Sequence, residues 1–314
     1  MLSSRIGSQL DNERRVSNER AEPATILVIG GDSTIGSCLY QEAKMRGLDV
    51  YRTSRRDSRS GETWHLSLGD KSSTSSLVKA AQARGVTDAV MALGETSIAS
   101  CAADPSAAWK INVTYSQELV SALTNIGINV MVLSSASVFS GRTQFPTERD
   151  ACDPETEYGR QKAALEESSL DFLGTSILRI TKVLSPRARL WSQWFQAIRE
   201  GDRIQAFGNV KFSPLRISNV VGSILSQIES PAGRIVHLSP PDAVTYSAAV
   251  QLMAEEMGIE VKLEPLNAHR DANRGILPDK WTTLGTIHRD SFLQTESSES
   301  AMRIFTRQVV GWPT

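Results

Sequence analysis

The chain has 314 residues, 40% hydrophobic and 22% charged, with a formal net charge of -1. That is enough apolar material for a large core and too little net charge for a nucleic-acid or acidic-membrane partner. No apolar run approaches the roughly 20 residues that span a bilayer, the first residues lack a secretory signal's apolar stretch, and three scattered cysteines (Cys38, Cys101, Cys152) with four histidines argue against a disulfide framework or a metal site. A reduced, cytoplasmic protein without a metal is the expectation.

Residues 1–22 are polar and charged, with almost no hydrophobic periodicity, and read as a flexible N-terminal extension. Order is expected from 25–29 (TILVI), an apolar run suited to a buried parallel strand. It runs into Gly30-Gly-Asp-Ser33-Thr34-Ile35-Gly36 and a helix ending near Gly47. A strand, a tight glycine turn and a helix N-terminus together make a pyrophosphate site, because backbone N–H groups and the helix dipole point at the anion. Gly30, Ser33, Thr34, Ile35 and Gly36 are its candidate residues. A second strand at 49–53 leads to Arg55 and Arg56. A carboxylate at that strand's end would hold a ribose 2′-hydroxyl, whereas arginine suits a 2′-phosphate. The first acid there is Asp57, beyond both arginines, so NADP(H) is favoured over NAD(H).

Farther along, helices are expected at 72–84, 109–125 and 158–173, and strands at 88–93, 130–134 and 176–180. This alternation predicts an α/β fold with a doubly wound parallel sheet. Residues 23–183 form its nucleotide-binding part, with a return segment near 212–237 that includes a strand at 215–220. Residues 184–211 and 238–314 are mixed and loop-rich, and read as a smaller substrate-binding lobe. Arg187 and Arg189 there, with Arg216 in the return segment, are candidate clamps for a substrate diphosphate. Trp191 and Trp194, three apart, are expected to pack in a core or interface rather than stack on a base. His237, His269 and His288 read as structural or exposed.

One spacing carries chemistry. Tyr158 and Lys162 are four apart in a stretch rich in helix formers, so they share one helix face. An ammonium beside a phenol is expected to lower the phenol's pKa from about 10 toward the working pH. Such a tyrosine can pass a proton to or from a carbonyl or alcohol oxygen. Ser135 lies 23 residues upstream of Tyr158, in the cluster Ser134-Ser135-Ala-Ser137 at a strand end. It is the third candidate, with Ser134 and Ser137 as close neighbours.

Tyr158-x-x-x-Lys162, Ser135 and the glycine loop together resemble the extended short-chain dehydrogenase/reductase family, over roughly residues 25–220. Asn112 is similar to that family's structural asparagine, and 177–180 to the strand after its catalytic helix. Segments 133–141 (LSSASVFSG) and 278–286 (PDKWTTLGT) are similar to the branch containing dTDP-4-dehydrorhamnose reductase and UDP-galactose 4-epimerase. The resemblance implies a Rossmann-like fold and an NADP(H)-dependent reductase of a keto-sugar, nucleotide-activated. Tyr158 would donate the proton, Lys162 would also hydrogen-bond the nicotinamide ribose, and Ser135 would hold the reacting oxygen. The same three residues serve an NAD-dependent nucleotide-sugar 4-epimerase, the second reading. A non-catalytic Rossmann binding or regulatory protein is the third. It draws on Ser33 replacing the family's central glycine and on Ser67 standing where the family keeps an adenine-contacting Asp, with Asp70 as its substitute. Ala136 and Ser137 replace the Asp-Glu pair of 4,6-dehydratases, which disfavours dehydration. The resemblance also implies a homodimer through the helices carrying Asn112 and Tyr158.

Overall fold

The computed structural model describes residues 23–56, 61–267 and 280–311. The expected extension at 1–22, Asp57, His269, Pro278 and Asp279 lie outside them.

The first six strands are β1 (Ile26–Ile29), β2 (Val50–Ser54), β3 (Thr63–His65), β4 (Asp88–Met91), β5 (Asn129–Ser135) and β6 (Thr175–Ile180). With Ile235–Leu238 at one edge they form a seven-stranded sheet, ordered Ile235–Leu238, β6, β5, β4, β1, β2, β3, every pair parallel. A parallel sheet is covered on both faces, so its central strands run continuously apolar, and β1 is buried along its whole length. Successive residues point to opposite faces. Ile26 and Val28 join Leu39, Val220 and Ile224 on one side, while Leu27 and Ile29 join Leu77, Leu119 and Leu165 on the other. Strand order reverses beside β1, and the crevice at the strands' C-terminal ends is where such sheets bind ligands.

The return segment departs from expectation. Its strand is only Pro214–Arg216, and Ile217–Glu229 is a helix because Val220, Val221, Ile224 and Ile228 recur at helical spacing toward the first core face. The helical segment near 109–125 begins earlier, at Pro105, and passes through a π-helical turn at Lys110–Thr114. Strand β3 was not anticipated.

A third apolar cluster lies beyond the sheet. Trp191, Trp194, Phe195 and Ile198 of helix Arg189–Glu200 meet Met253 of helix Tyr246–Met257 and Phe305 of helix Ser298–Val310. Around it are Lys182–Leu184 paired with Pro214–Arg216, Arg203–Phe207 with Lys262–Leu266, and Lys211–Phe212 with Val244–Thr245 and Trp281–Thr282.

Candidate active site

Helix Glu157–Ser169 carries the reactive face. Thr156 caps it, its Oγ1 accepting from the Gly159 N–H at 3.0 Å, which satisfies one of the first-turn donors. Gly159 permits a close crossing, since a Cβ there would lie 2.1 Å from the Ser137 carbonyl oxygen. The helix therefore rests directly on the turn that follows Ser135. Tyr158, Lys162 and Glu166 come one turn apart, and all three are buried.

Ser135 and Tyr158 line the same cleft, close enough for the serine hydroxyl to act on the phenol's titration. Ser135 Oγ accepts from the Ser137 N–H at 3.1 Å and donates to Ser137 Oγ at 3.2 Å. Those bonds separate Ser135 from Ser134, whose Oγ is buried without a partner. The Tyr158 ring packs on Cys101 and Ala108. Lys162 Nζ donates to the Leu133 carbonyl at 3.0 Å.

The electrostatics correct one expectation. Burial pushes the Tyr158 phenol up to about 12, with the Ser135 hydroxyl pulling the other way. Burial pushes Lys162 down to about 8, opposed by Glu166 and Cys101. Lys162 does not lower the phenol here, because its ammonium is turned to the Leu133 carbonyl and desolvation dominates both groups. Tyr158 holds its proton at neutral pH, and Lys162 is poised to lose its own just above it.

Behind this face stands a polar cluster that sequence reasoning missed. Arg179 on β6 grips Glu166 with Nε at 3.1 and 3.0 Å and Nη2 at 2.6 Å. Arg179 also meets His237 Nε2 at 3.2 Å and Cys152 Sγ at 3.1 Å. His237 Nδ1 faces the Gly285 carbonyl at 2.7 Å, and burial pushes its pKa down, so the neutral ring donates through Nδ1 and accepts through Nε2. The histidine is structural, one of the two readings expected of it. An arginine inside an apolar strand and an acid four residues after Lys162 were the available signals.

Asn112, in the π-turn, fastens the loop after β4 to the same helix. Its Oδ1 accepts from the Glu95 N–H at 2.8 Å, and its Nδ2 donates to the Glu95 carbonyl at 2.9 Å and to Gln161 Oε1 at 2.7 Å. Such turns recur at functional sites. Gln161, fully buried, was not singled out from the sequence.

One cleft of about 1230 Å³ joins these residues to both ends of the fold. At the sheet end it is lined by Gly30, Asp32, Ser33, Thr34, Ile35 and Arg55. Gly30 has φ +88°, and a Cβ on Gly36 would stand 2.3 Å from the Gly30 carbonyl oxygen, so the turn folds tightly on its helix. Ser33 fits as the N-cap of helix Thr34–Met45, accepting from the Gly36 N–H at 3.0 Å. Thr34 and Ile35 open that helix on the cleft, where first-turn N–H groups have no intrahelical carbonyl to meet. The loop fits a dinucleotide pyrophosphate. Gly36 shapes the turn rather than lining the cleft. Arg56 is exposed and away from the cleft lining. Asp70 is corrected to a helix cap: it accepts from the hydroxyl and N–H of Ser72 and the N–H of Ser73, bonds that hold its carboxyl below the usual range. Ser67 does line the cleft.

At the far end the lining is Lys182, Trp194, Gln205, Phe207, Tyr246 and Lys280. Burial pulls the Lys280 pKa down, with Glu155 opposing. The three arginines expected there are elsewhere. Arg187 and Arg189 are exposed off the cleft, and Arg216 is ion-paired with Glu296. Trp191 is core, as expected; Trp194 packs edge-on against it at 5.4 Å and also faces the cleft.

A parallel doubly wound sheet, a glycine turn at its switch point and a Ser-Tyr-Lys set on one cleft define an NAD(P)-dependent oxidoreductase or epimerase. The model of the NAD dependent epimerase/dehydratase family matches residues 26–222, and the chain belongs to that family. A probable low-salt glycan biosynthesis reductase, Agl14 of Haloferax volcanii, is 26% identical over 187 residues, 57% of this chain and 62% of that protein. The chain thus matches less than two thirds of that relative's length. Among solved structures, dTDP-4-dehydrorhamnose reductase of Bacillus anthracis in complex with NADP superposes with a TM-score of 0.78 at 16% identity, covering 92% of this chain and 99% of that one. MoeE5 in complex with UDP-glucose and NAD gives 0.71 at 22% identity, covering 92% and 100%. These likenesses are of fold. Among the described residues no helix is long and apolar enough to cross a membrane.

Proposed function

We propose that the chain is a reductase that converts the keto group of a nucleotide-activated sugar to an alcohol, using NADPH. The observation that carries this is Tyr158, set with Ser135 and Lys162 in one cleft that runs from the glycine turn to Trp194 and Tyr246, and still protonated at neutral pH. A protonated phenol suits reduction, which needs a proton at the carbonyl oxygen. Thr34 and Ile35 N–H groups would hold the pyrophosphate, and Arg55 a 2′-phosphate. Bound there, the reduced nicotinamide supplies the hydride. Ser135 holds the carbonyl oxygen, Tyr158 gives it the proton, and Lys162 holds the nicotinamide ribose and offsets the charge left on the phenol. Lys182 and Lys280 would face the substrate's phosphates, in place of the three arginines, and Trp194 and Tyr246 border its base or sugar. The reductase names of Agl14 and the rhamnose-type structure favour this direction. We place the protein in the cytoplasm, as a homodimer that would bury Trp109, now 41% exposed on the helix leading to Asn112.

The second reading is an NAD-dependent 4-epimerase, supported by the same Ser-Tyr-Lys set and by NAD in the MoeE5 complex. Purified protein distinguishes the two. A reductase exchanges its cofactor freely and consumes NADPH with a keto-sugar nucleotide. An epimerase copurifies with tightly held NAD and interconverts sugar nucleotides with no net change in cofactor, a result that would overturn the reductase.

A further inference from the structure

A carboxylate does reach the end of β2, from another part of the chain. Asp32 lies in the glycine loop, and its Oδ2 accepts from Ser54 Oγ at 2.7 Å, Ser54 being the last residue of β2. Ser54 Oγ in turn accepts from the Arg56 N–H at 3.0 Å, which turns the chain at the strand's end. Loop and strand end are laced together. The Gly30 N–H donates to Thr53 Oγ1 at 2.9 Å and the Gly31 N–H to the Thr53 carbonyl at 2.9 Å. A Cβ on Gly31 would stand 2.8 Å from Arg52 Cβ and 3.0 Å from the Thr53 carbonyl oxygen, so only glycine lets the loop pack this closely on the strand. This close seam brings a loop carboxylate to the strand end. Asp32, Ser54 and Arg55 all line the cleft there.

We propose that Asp32 sets cofactor choice: its carboxylate accepts from the 2′-hydroxyl of NAD(H) and opposes the 2′-phosphate of NADP(H), which Arg55 attracts. The chain then uses both cofactors instead of NADP(H) alone. A single like charge beside the phosphate, partly screened by water, would be worth on the order of tenfold in affinity. Arg55 supplies an attraction of similar size, so neither cofactor is rejected. The proposal rests on the reading of this cleft as a dinucleotide site.

Calorimetric titration of the full chain with NADH and NADPH tests it, comparing wild type, Asp32→Asn and Arg55→Ala. Asparagine keeps an acceptor for Ser54 and removes the charge at an exposed position, so the fold is retained and circular dichroism checks this. Asp32→Asn is expected to tighten NADPH about tenfold, to weaken NADH, and to do so less at high salt. Arg55→Ala is expected to weaken NADPH and leave NADH unchanged. An unaltered NADH-to-NADPH ratio in Asp32→Asn, with both cofactors still bound, overturns the proposal and leaves the dinucleotide site standing. Failure of wild type to bind either cofactor removes the site and the proposal together.

Discussion

On one wall of the cleft, Tyr158 and Lys162 come from a single helix, with Glu166 one turn farther along and behind them. On the other, Lys182, Gln205, Tyr246 and Lys280 arrive from four separate segments. The first wall is fixed by helical period and by a buried ion pair behind it. The second is fixed by tertiary packing around Trp191 and Phe212, which no local spacing announces. Chemistry is therefore held rigidly and read from a few residues, while recognition is distributed. The two walls should respond differently to substitution.

The largest effect belongs to the first wall. Tyr158→Phe removes the proton donor and keeps the ring, so kcat with a keto-sugar nucleotide should fall by about 10²–10⁴-fold. Calorimetric affinity for NADPH should be unchanged. A loss of cofactor binding with the same variant would mean that the ring positions the site and does not act in it. Next comes the support behind the wall. Glu166→Gln leaves the Arg179 guanidinium buried without its carboxylate, a break that costs about 3–5 kcal/mol. Urea unfolding at constant m-value measures it, and a change under 1 kcal/mol would show the pair to be dispensable.

The third prediction is a pH dependence. Lys162 has a folded pKa of about 8, below its ordinary value, so in the folded state it loses its proton as pH rises through about 8. If the charged form holds the ribose, kcat/KM should fall on the alkaline side with a midpoint near 8, far below the phenol at about 12. The sign for stability is opposite. A depressed lysine destabilises the fold while it is protonated, and that cost is relieved as pH rises from about 8 toward its ordinary value. An alkaline limb that survives in Lys162→Met would assign the titration to another group. The smallest effect belongs to the second wall. Tyr246 stacks on Phe212 at 4.5 Å and touches the cleft. Tyr246→Leu should raise KM severalfold, about 1 kcal/mol, with kcat nearly unchanged. A large drop in kcat would contradict the division of labour.

The sheet was legible because β1, β4, β5 and β6 are short apolar runs separated by helical periods, and Tyr158 and Lys162 because four residues is one helical turn. Arg216 was misplaced because nothing local marks Glu296, 80 residues away, as its partner. Asp32 was overlooked because it is distant in sequence from the β2 end it reaches. Asp70 looked like a ligand, yet an acid immediately before a helix is more simply a cap. The serine in the glycine turn looked like damage, and as an N-cap it is an alternative way to close the same turn.

Isotope transfer tests the central claim most directly. NADPH deuterated at the transferring position of the nicotinamide would be mixed with the wild-type chain and a panel of keto-sugar nucleotides, and the sugar product analysed by mass spectrometry and NMR. Deuterium at the carbon that bore the carbonyl, absent with Tyr158→Phe, is the result this account predicts. Bound cofactor with no deuterium in any sugar, or the same transfer with Tyr158→Phe, would contradict it.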